Sequence, residues 1–163
     1  METTISTVEG ERPELKKFST RSQELNYVAR KIADLISRGV HPGEIAVIAR
    51  TNRVWEECWR VLGSAGIPVD TKEIGGAGTN GVQCGTMHGS KGCEFSYVFV
   101  IGANKDIIPN KKSLDSAPDA EERERRINQE KQLLHVALTR ARHQVYLTCS
   151  GEPSEFLKLL ELE

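Results

Sequence analysis

The sequence has no excess of charge of either sign: 22 Lys and Arg stand against 23 Asp and Glu, a formal net charge of −1 over 163 residues. A bulk polycation that coats nucleic acid, or an acidic solvating tail, carries a large imbalance, so any contact with a polyanion must be a local patch. Cysteine is sparse. Cys58, Cys84, Cys93 and Cys149 show no C-x-x-C spacing and no histidine at a zinc-finger offset, which leaves ordinary buried thiols and no metal site. Apolar residues make up 38% of the chain, more than a disordered chain offers, but their runs are too short for a bilayer-spanning helix. The first residues, Met1-Glu-Thr-Thr-Ile-Ser6, lack the basic start and apolar stretch of a secretory signal, so the expected location is cytoplasmic.

The length suits one domain. We expect a flexible segment at 1–13, one folded domain at 14–160 and a tail at 161–163 in which Leu162-Glu163 reads either as native or as vector-derived. Within the domain, Leu15 to Phe18 reads as a short strand. Ser22, followed by Glu24 and the stripe Leu25, Val28, Ala29, Ile32, Leu35 and Ile36, reads as a capped amphipathic helix that stops at Gly39. Ile45-Ala-Val-Ile-Ala49 and Tyr97-Val-Phe-Val-Ile101 are short β-branched runs, as in strands buried on both faces. A helix over about Arg53 to Ser64 lies between them, followed by a Gly-rich loop from Asp70 to Gly81 and a strand from Val82 to Thr86. Asn104 to Pro118 reads as loop, Ala120 to Ala141 as a long helix, Val145 to Cys149 as a strand, and Pro153 to Leu160 as a closing helix. Alternating strands and helices predict an α/β fold: a parallel sheet with helices on both faces and ligands at the carboxyl ends of the strands. The segments to search then follow Ala49, Thr86, Ile101 and Cys149.

Three stretches carry chemistry. Gly85-Thr-Met-His-Gly-Ser-Lys-Gly-Cys-Glu-Phe95 crowds His, Lys and Glu head groups after a strand; it reads either as a functional loop or as a Gly-rich turn with solvated charges. It is not a phosphate-cradling G-x-x-x-x-G-K-[ST] loop, because its order is Gly89-Ser90-Lys91. Thr139-Arg140 ends the long helix, where Arg140 either meets the helix dipole or senses a phosphoryl group; Arg142 is expected to cap or face solvent. Ala49-Arg-Thr-Asn52 follows a buried strand, so Asn52 either caps the next helix or faces a ligand. Trp55 and Trp59, four apart, read as a base-stacking platform or as core. The Glu121-Arg125 and Glu122-Arg126 pairs mark a solvated face.

Taken in order, Ile45-Ala-Val-Ile-Ala-Arg-Thr-Asn52, Val82 through T-M-H-x-x-K-G-x-E-F to Phe95, and Leu133-Leu-His-Val-Ala-Leu-Thr-Arg-Ala141 resemble the C-terminal motor motifs of UvrD/Rep-type superfamily 1 DNA helicases. The resemblance implies the second RecA-like motor domain, a P-loop NTPase-like fold without its own Walker A loop. It further implies that Arg140 is the arginine finger, that Glu94 lies at the nucleotide, that Lys91 either lies there too or braces the loop, and that His88, Thr86 and Asn52 face single-stranded DNA. ATP and Mg2+ are expected only together with the N-terminal RecA-like domain, which is the implied partner of a chain expected to be monomeric and inactive as an ATPase alone. Departures from the pattern are the missing Walker A loop and Asp-Glu magnesium motif, a Gly-rich loop where long members carry an accessory domain, Cys93 in place of an apolar residue, and His135 in place of an aromatic hydroxyl. The competing classes are a non-catalytic nucleic-acid- or protein-binding module and a solitary nucleotide-binding regulator.

Overall fold

A computed structural model describes residues 12–74 and 80–160. The expected flexible segment, apart from Arg12 and Pro13, lies outside the described residues, as do the centre of the Gly-rich loop and the tail. Six strands form one sheet in the order β1-β6-β5-β2-β4-β3, and every pairing is parallel. They are β1 (Glu14–Phe18), β2 (Ile45–Ala49), β3 (Val69–Glu73), β4 (Val82–Thr86), β5 (Phe95–Val100) and β6 (Ala141–Ser150). The helices are α1 (Arg21–Ser37), α2 (Asn52–Ser64), α3 (Lys111–Asp115) and α4 (Ala120–Leu138).

The central strand shows why the sheet is covered on both faces. All five residues of β2 are fully buried. Because side chains alternate across a strand, Ala46 and Ile48 join one core with Leu134, Ala137 and Leu138 of α4. Ile45, Val47 and Ala49 join the other, with Val28 and Ile32 of α1 and Cys58 and Leu62 of α2. The α/β sheet with two helical layers is therefore as the sequence predicts.

Four details differ from the expectation. The cap of α1 is Thr20, not Ser22: Thr20 Oγ1 accepts from the Gln23 amide at 3.1 Å while Gln23 Oε1 accepts from the Thr20 amide at 3.3 Å, a reciprocal capping box. Val69–Glu73 is an edge strand on β4, although the sequence from Asp70 onward reads as loop, with the Ile74 amide donating to the Cys84 carbonyl at 2.8 Å. The stretch Asn104 to Pro118 contains the one-turn helix α3, capped by Asn110 Oδ1 accepting from the Ser113 amide at 3.2 Å. The last strand starts at Ala141, so α4 ends at Leu138 and Arg140 belongs to the joint between them.

A fully buried carboxylate fixes how α1 meets the sheet. Glu24 Oε2 accepts from the Gly102 amide at 2.8 Å and from Thr148 Oγ1 at 2.6 Å, and Arg21 lies 3.1 Å from Oε1. Gly102 has φ +64, and a Cβ there would come within 2.9 Å of Val54, so the turn after β5 needs glycine. Three of the four thiols, Cys58, Cys84 and Cys149, are buried as expected, whereas Cys93 is half-buried; burial pushes Cys84 up to about 12 and Cys58 well above its ordinary value.

Candidate nucleotide and nucleic-acid site

Strands β4 and β5 are parallel and flank β2, so the chain between them must return from the carboxyl end of the sheet to the amino end. It does so without a regular helix. Met87 to Glu94 runs down the α4 side of the sheet, with Met87, Cys93 and Phe95 packed in that core and the turns closed by Ser90 N to Thr86 O, Lys91 N to His88 O and Cys93 N to Ser90 O. Ser90 is fully buried and its hydroxyl donates to the Met87 carbonyl at 2.7 Å. Gly92, at φ +82, takes the left-handed conformation that completes the descent. The polar head groups of this segment, His88, Lys91 and Glu94, are exposed.

The six predicted site residues consequently divide. At the carboxyl end, Ala49 pairs in register with Thr86, which brings Asn52, Thr86 and His88 into one neighbourhood. Thr86 Oγ1 accepts from the Gly89 amide at 3.1 Å and so braces the turn that carries His88. Asn52 is the first residue of α2 and not its cap; its Oδ1 accepts from Trp55 Nε1 at 2.9 Å, while Thr51 occupies the cap position without a side-chain bond. Trp59 Nε1 donates to the Asp70 carbonyl at 2.9 Å, and both indoles pack on the α1 and α2 core, which favours the core reading of the pair.

Arg140 and Glu94 have their backbone at the opposite, amino end, where the Phe95 amide donates to the Arg140 carbonyl at 2.9 Å. The carboxyl-end rule thus covers only half of the predicted residues. Arg140 does not reach into solvent as an extended side chain. Its Nε donates to the Val136 carbonyl at 3.1 Å, Nη1 to the Cys93 carbonyl at 3.2 Å and Nη2 to Thr139 Oγ1 at 3.4 Å. These acceptors hold the guanidinium back along the last turn of α4, and among the described residues no carboxylate neutralises it. A fixed, uncompensated planar cation fits an anionic oxygen group from outside the chain. Lys91 lies between the two ends.

Two features escaped the sequence. Arg142, expected to cap or face solvent, instead ties two acidic residues together, with Nη2 donating to Glu44 at 2.9 Å and Nη1 to Glu94 at 3.4 Å. Arg50, which directly follows β2, donates through Nε and Nη2 to the two oxygens of Glu130 at 3.0 and 2.7 Å, and Glu130 also accepts from the Asn110 amide at 2.8 Å. Burial works against ionisation of Glu130, but the Arg50 and Asn110 hydrogen bonds and the nearby charges of Arg50 and His88 outweigh it and hold the carboxyl below its ordinary value. No local signal marks a pair separated by 80 residues. Among the described residues no three His, Cys, Asp or Glu side chains come together to hold a metal ion, and no helix is long and apolar enough to cross a membrane.

The description "UvrD-like helicase C-terminal domain" belongs to the family model that matches residues 2–77 and 72–152. The chain belongs to that family. Over 69 residues it is 44% identical to the ATP-dependent DNA helicase Rep of Buchnera aphidicola subsp. Schizaphis graminum, covering 42% of this chain and 9% of the relative. It is 43% identical over 70 residues to the putative ATP-dependent DNA helicase YjcD of Bacillus subtilis, covering 43% and 9%. With the ATP-dependent DNA helicase PcrA of Staphylococcus epidermidis the identity is 36% over 90 residues, covering 48% and 12%. The aligned parts are thus about a tenth of the length of these relatives. The C-terminal domain of a possible DNA helicase from Lactobacillus plantarum superposes with a TM-score of 0.67 at 22% identity, over 93% of this chain and 81% of that one, which shows the shared fold. The chain is a UvrD-like C-terminal domain whose T-M-H-x-x-K-G-x-E-F and V-A-L-T-R-A strings fall on the β4–β5 return and on the α4–β6 joint.

Proposed function

We propose that this chain is the second motor half of an ATP-dependent DNA helicase, able to grip single-stranded DNA but dependent on a first RecA-like domain for ATP and Mg2+. The observation that supports this reading is the β4–β5 return itself. His88 sits at its carboxyl-end start and Glu94 at its amino-end finish, and the guanidinium of Arg140 is fastened to its Cys93 carbonyl at 3.2 Å. One short segment thus links a strand-facing end to a nucleotide-facing end, so that closing the cleft on nucleotide shifts the grip on DNA. Arg140 acts as the arginine finger, setting its positive charge against the γ-phosphoryl oxygens as that group passes from ADP to water, with Glu94 and Lys91 beside the nucleotide. His88 and Asn52 contact the strand, and Thr86 holds the His88 turn in place. ATP supplies the transferable phosphoryl group; the cradle, the Mg2+ ligands and the positioned water belong to the first domain. The cytoplasmic location and monomeric state expected from the sequence complete this reading.

The strand-gripping part is testable on the chain as it stands. In fluorescence anisotropy with a labelled single-stranded oligonucleotide at low salt, His88→Ala is expected to weaken binding roughly tenfold, about the value of one good contact. Equal affinity of His88→Ala and wild type removes His88 from the interface.

A further inference from the structure

A cavity of about 560 Å³ opens at the carboxyl end of the sheet, between the start of α2 and the segment that follows β5. Arg21, Arg53, Lys111 and Lys112 line it together with Thr51, Glu57, Asp106 and Asn110. These charges are not equally committed. Arg21 is closed off by Glu24 at 3.1 Å and Glu57 at 3.3 Å. Arg53, Lys111 and Lys112 enter no ion pair among the described residues, and Asp106 is the one carboxylate of the lining that is likewise uncommitted. In a chain whose charges otherwise balance, this leaves a concave local excess of positive charge.

The lining is held by rigid elements on both sides. The Arg50–Glu130 pair and the Glu130–Asn110 bond clamp the 110–112 wall to α4. The other wall begins at Thr51, directly next to Asn52. We infer that this cavity binds a backbone phosphate of the single strand, held by Arg53, Lys111 and Lys112 next to the Asn52 contact. The inference rests on the strand-gripping reading above and adds to it a phosphate site between the start of α2 and the 106–112 segment, next to Asn52. Recognition of a phosphodiester by flexible cations is independent of sequence, as a translocating grip requires.

The test is a salt titration of oligonucleotide affinity. Single-strand binding weakens with salt in proportion to the phosphates neutralised, with a slope of about 0.7 per contact. A Lys111→Gln, Lys112→Gln, Arg53→Gln variant is expected to bind at least about tenfold more weakly at low salt and to lose roughly 1.5–2 from the slope, two to three contacts' worth. Lys111→Arg with Lys112→Arg keeps the charge and is expected to keep both. Unchanged affinity and slope in the Gln variant, while His88→Ala still weakens binding, overturns the cavity site and leaves the strand reading intact. Failure of the wild-type chain to bind the oligonucleotide at all overturns both. Inorganic tripolyphosphate is the second probe: a Gln variant that loses tripolyphosphate but keeps the oligonucleotide makes this a site for free polyphosphate and overturns the strand assignment. Thermal melts within a few degrees of wild type confirm that the substituted surface has not unfolded.

Discussion

Replacing Arg140 with alanine is expected to lower ATP turnover by roughly three orders of magnitude or more when the chain works against the first motor domain of a family helicase. The reason is geometric. The guanidinium is held by the Val136 and Cys93 carbonyls and by Thr139, and among the described residues no carboxylate neutralises it, so the fork is already fixed for the anionic partner that the proposed role requires. Charge that is already positioned stabilises a developing phosphoryl oxygen without reorganisation. Arg140→Lys is expected to recover little, because a single ammonium cannot donate to two carbonyls and a phosphoryl oxygen in the same planar fork. Steady-state hydrolysis with single-stranded DNA present measures this; a loss smaller than about tenfold would remove the finger role from Arg140 and reduce it to a clamp on the α4–β6 joint.

The second large effect concerns stability. Glu130→Ala leaves Arg50 with no partner in a site where the two side chains are only 7% and 13% exposed, and it also deprives the Asn110 amide of its acceptor. Removing one member of such a pair costs about 3–5 kcal/mol. For a domain of this size that corresponds to a drop in Tm of roughly 6–20 °C. A double replacement, Arg50→Met with Glu130→Leu, is expected to recover much of the loss, since well-packed apolar residues often replace a buried ion pair at no cost. The pair also sets an acid limit. Because the Glu130 carboxyl is held below its ordinary value in the folded chain, its contribution is complete above the unfolded value of about 4.3 and is lost as pH falls through the lower folded value. Melting curves between pH 3 and 7 are expected to fall at the acid end in wild type and to flatten in Glu130→Gln.

The two sides of the molecule differ in how openly the sequence displays them. Strands β2 and β5 could be read directly, because a strand buried on both faces must be a short, unbroken β-branched run. The edge strand β3 could not: Val69-Asp-Thr-Lys-Glu73 has the polarity of a loop, and only the pairing to β4 makes it a strand. Helix α3 is too short to show a period, and its cap by Asn110 is a single residue. The site was legible as strings but not as a place. T-M-H-x-x-K-G-x-E-F gave His88, Lys91 and Glu94, yet the rule that ligands gather at carboxyl ends says nothing of a return segment that carries Glu94 to the amino end. The Arg50–Glu130 pair and the Arg142 bridge between Glu94 and Glu44 depend on which strands become neighbours, so spacing alone does not predict them.

On the proposed reading one domain does not suffice. Arg140, Glu94 and Lys91 are then the groups that would face a nucleotide, but the sequence holds no G-x-x-x-x-G-K-[ST] cradle for its phosphates. An arginine finger without cradle, metal and positioned water has no transition state to stabilise. Steady-state ATP hydrolysis by the purified chain alone, with single-stranded DNA and Mg2+ present, decides whether the first domain is required. No turnover above the buffer background is expected, and turnover that Arg140→Ala abolishes would overturn that reading.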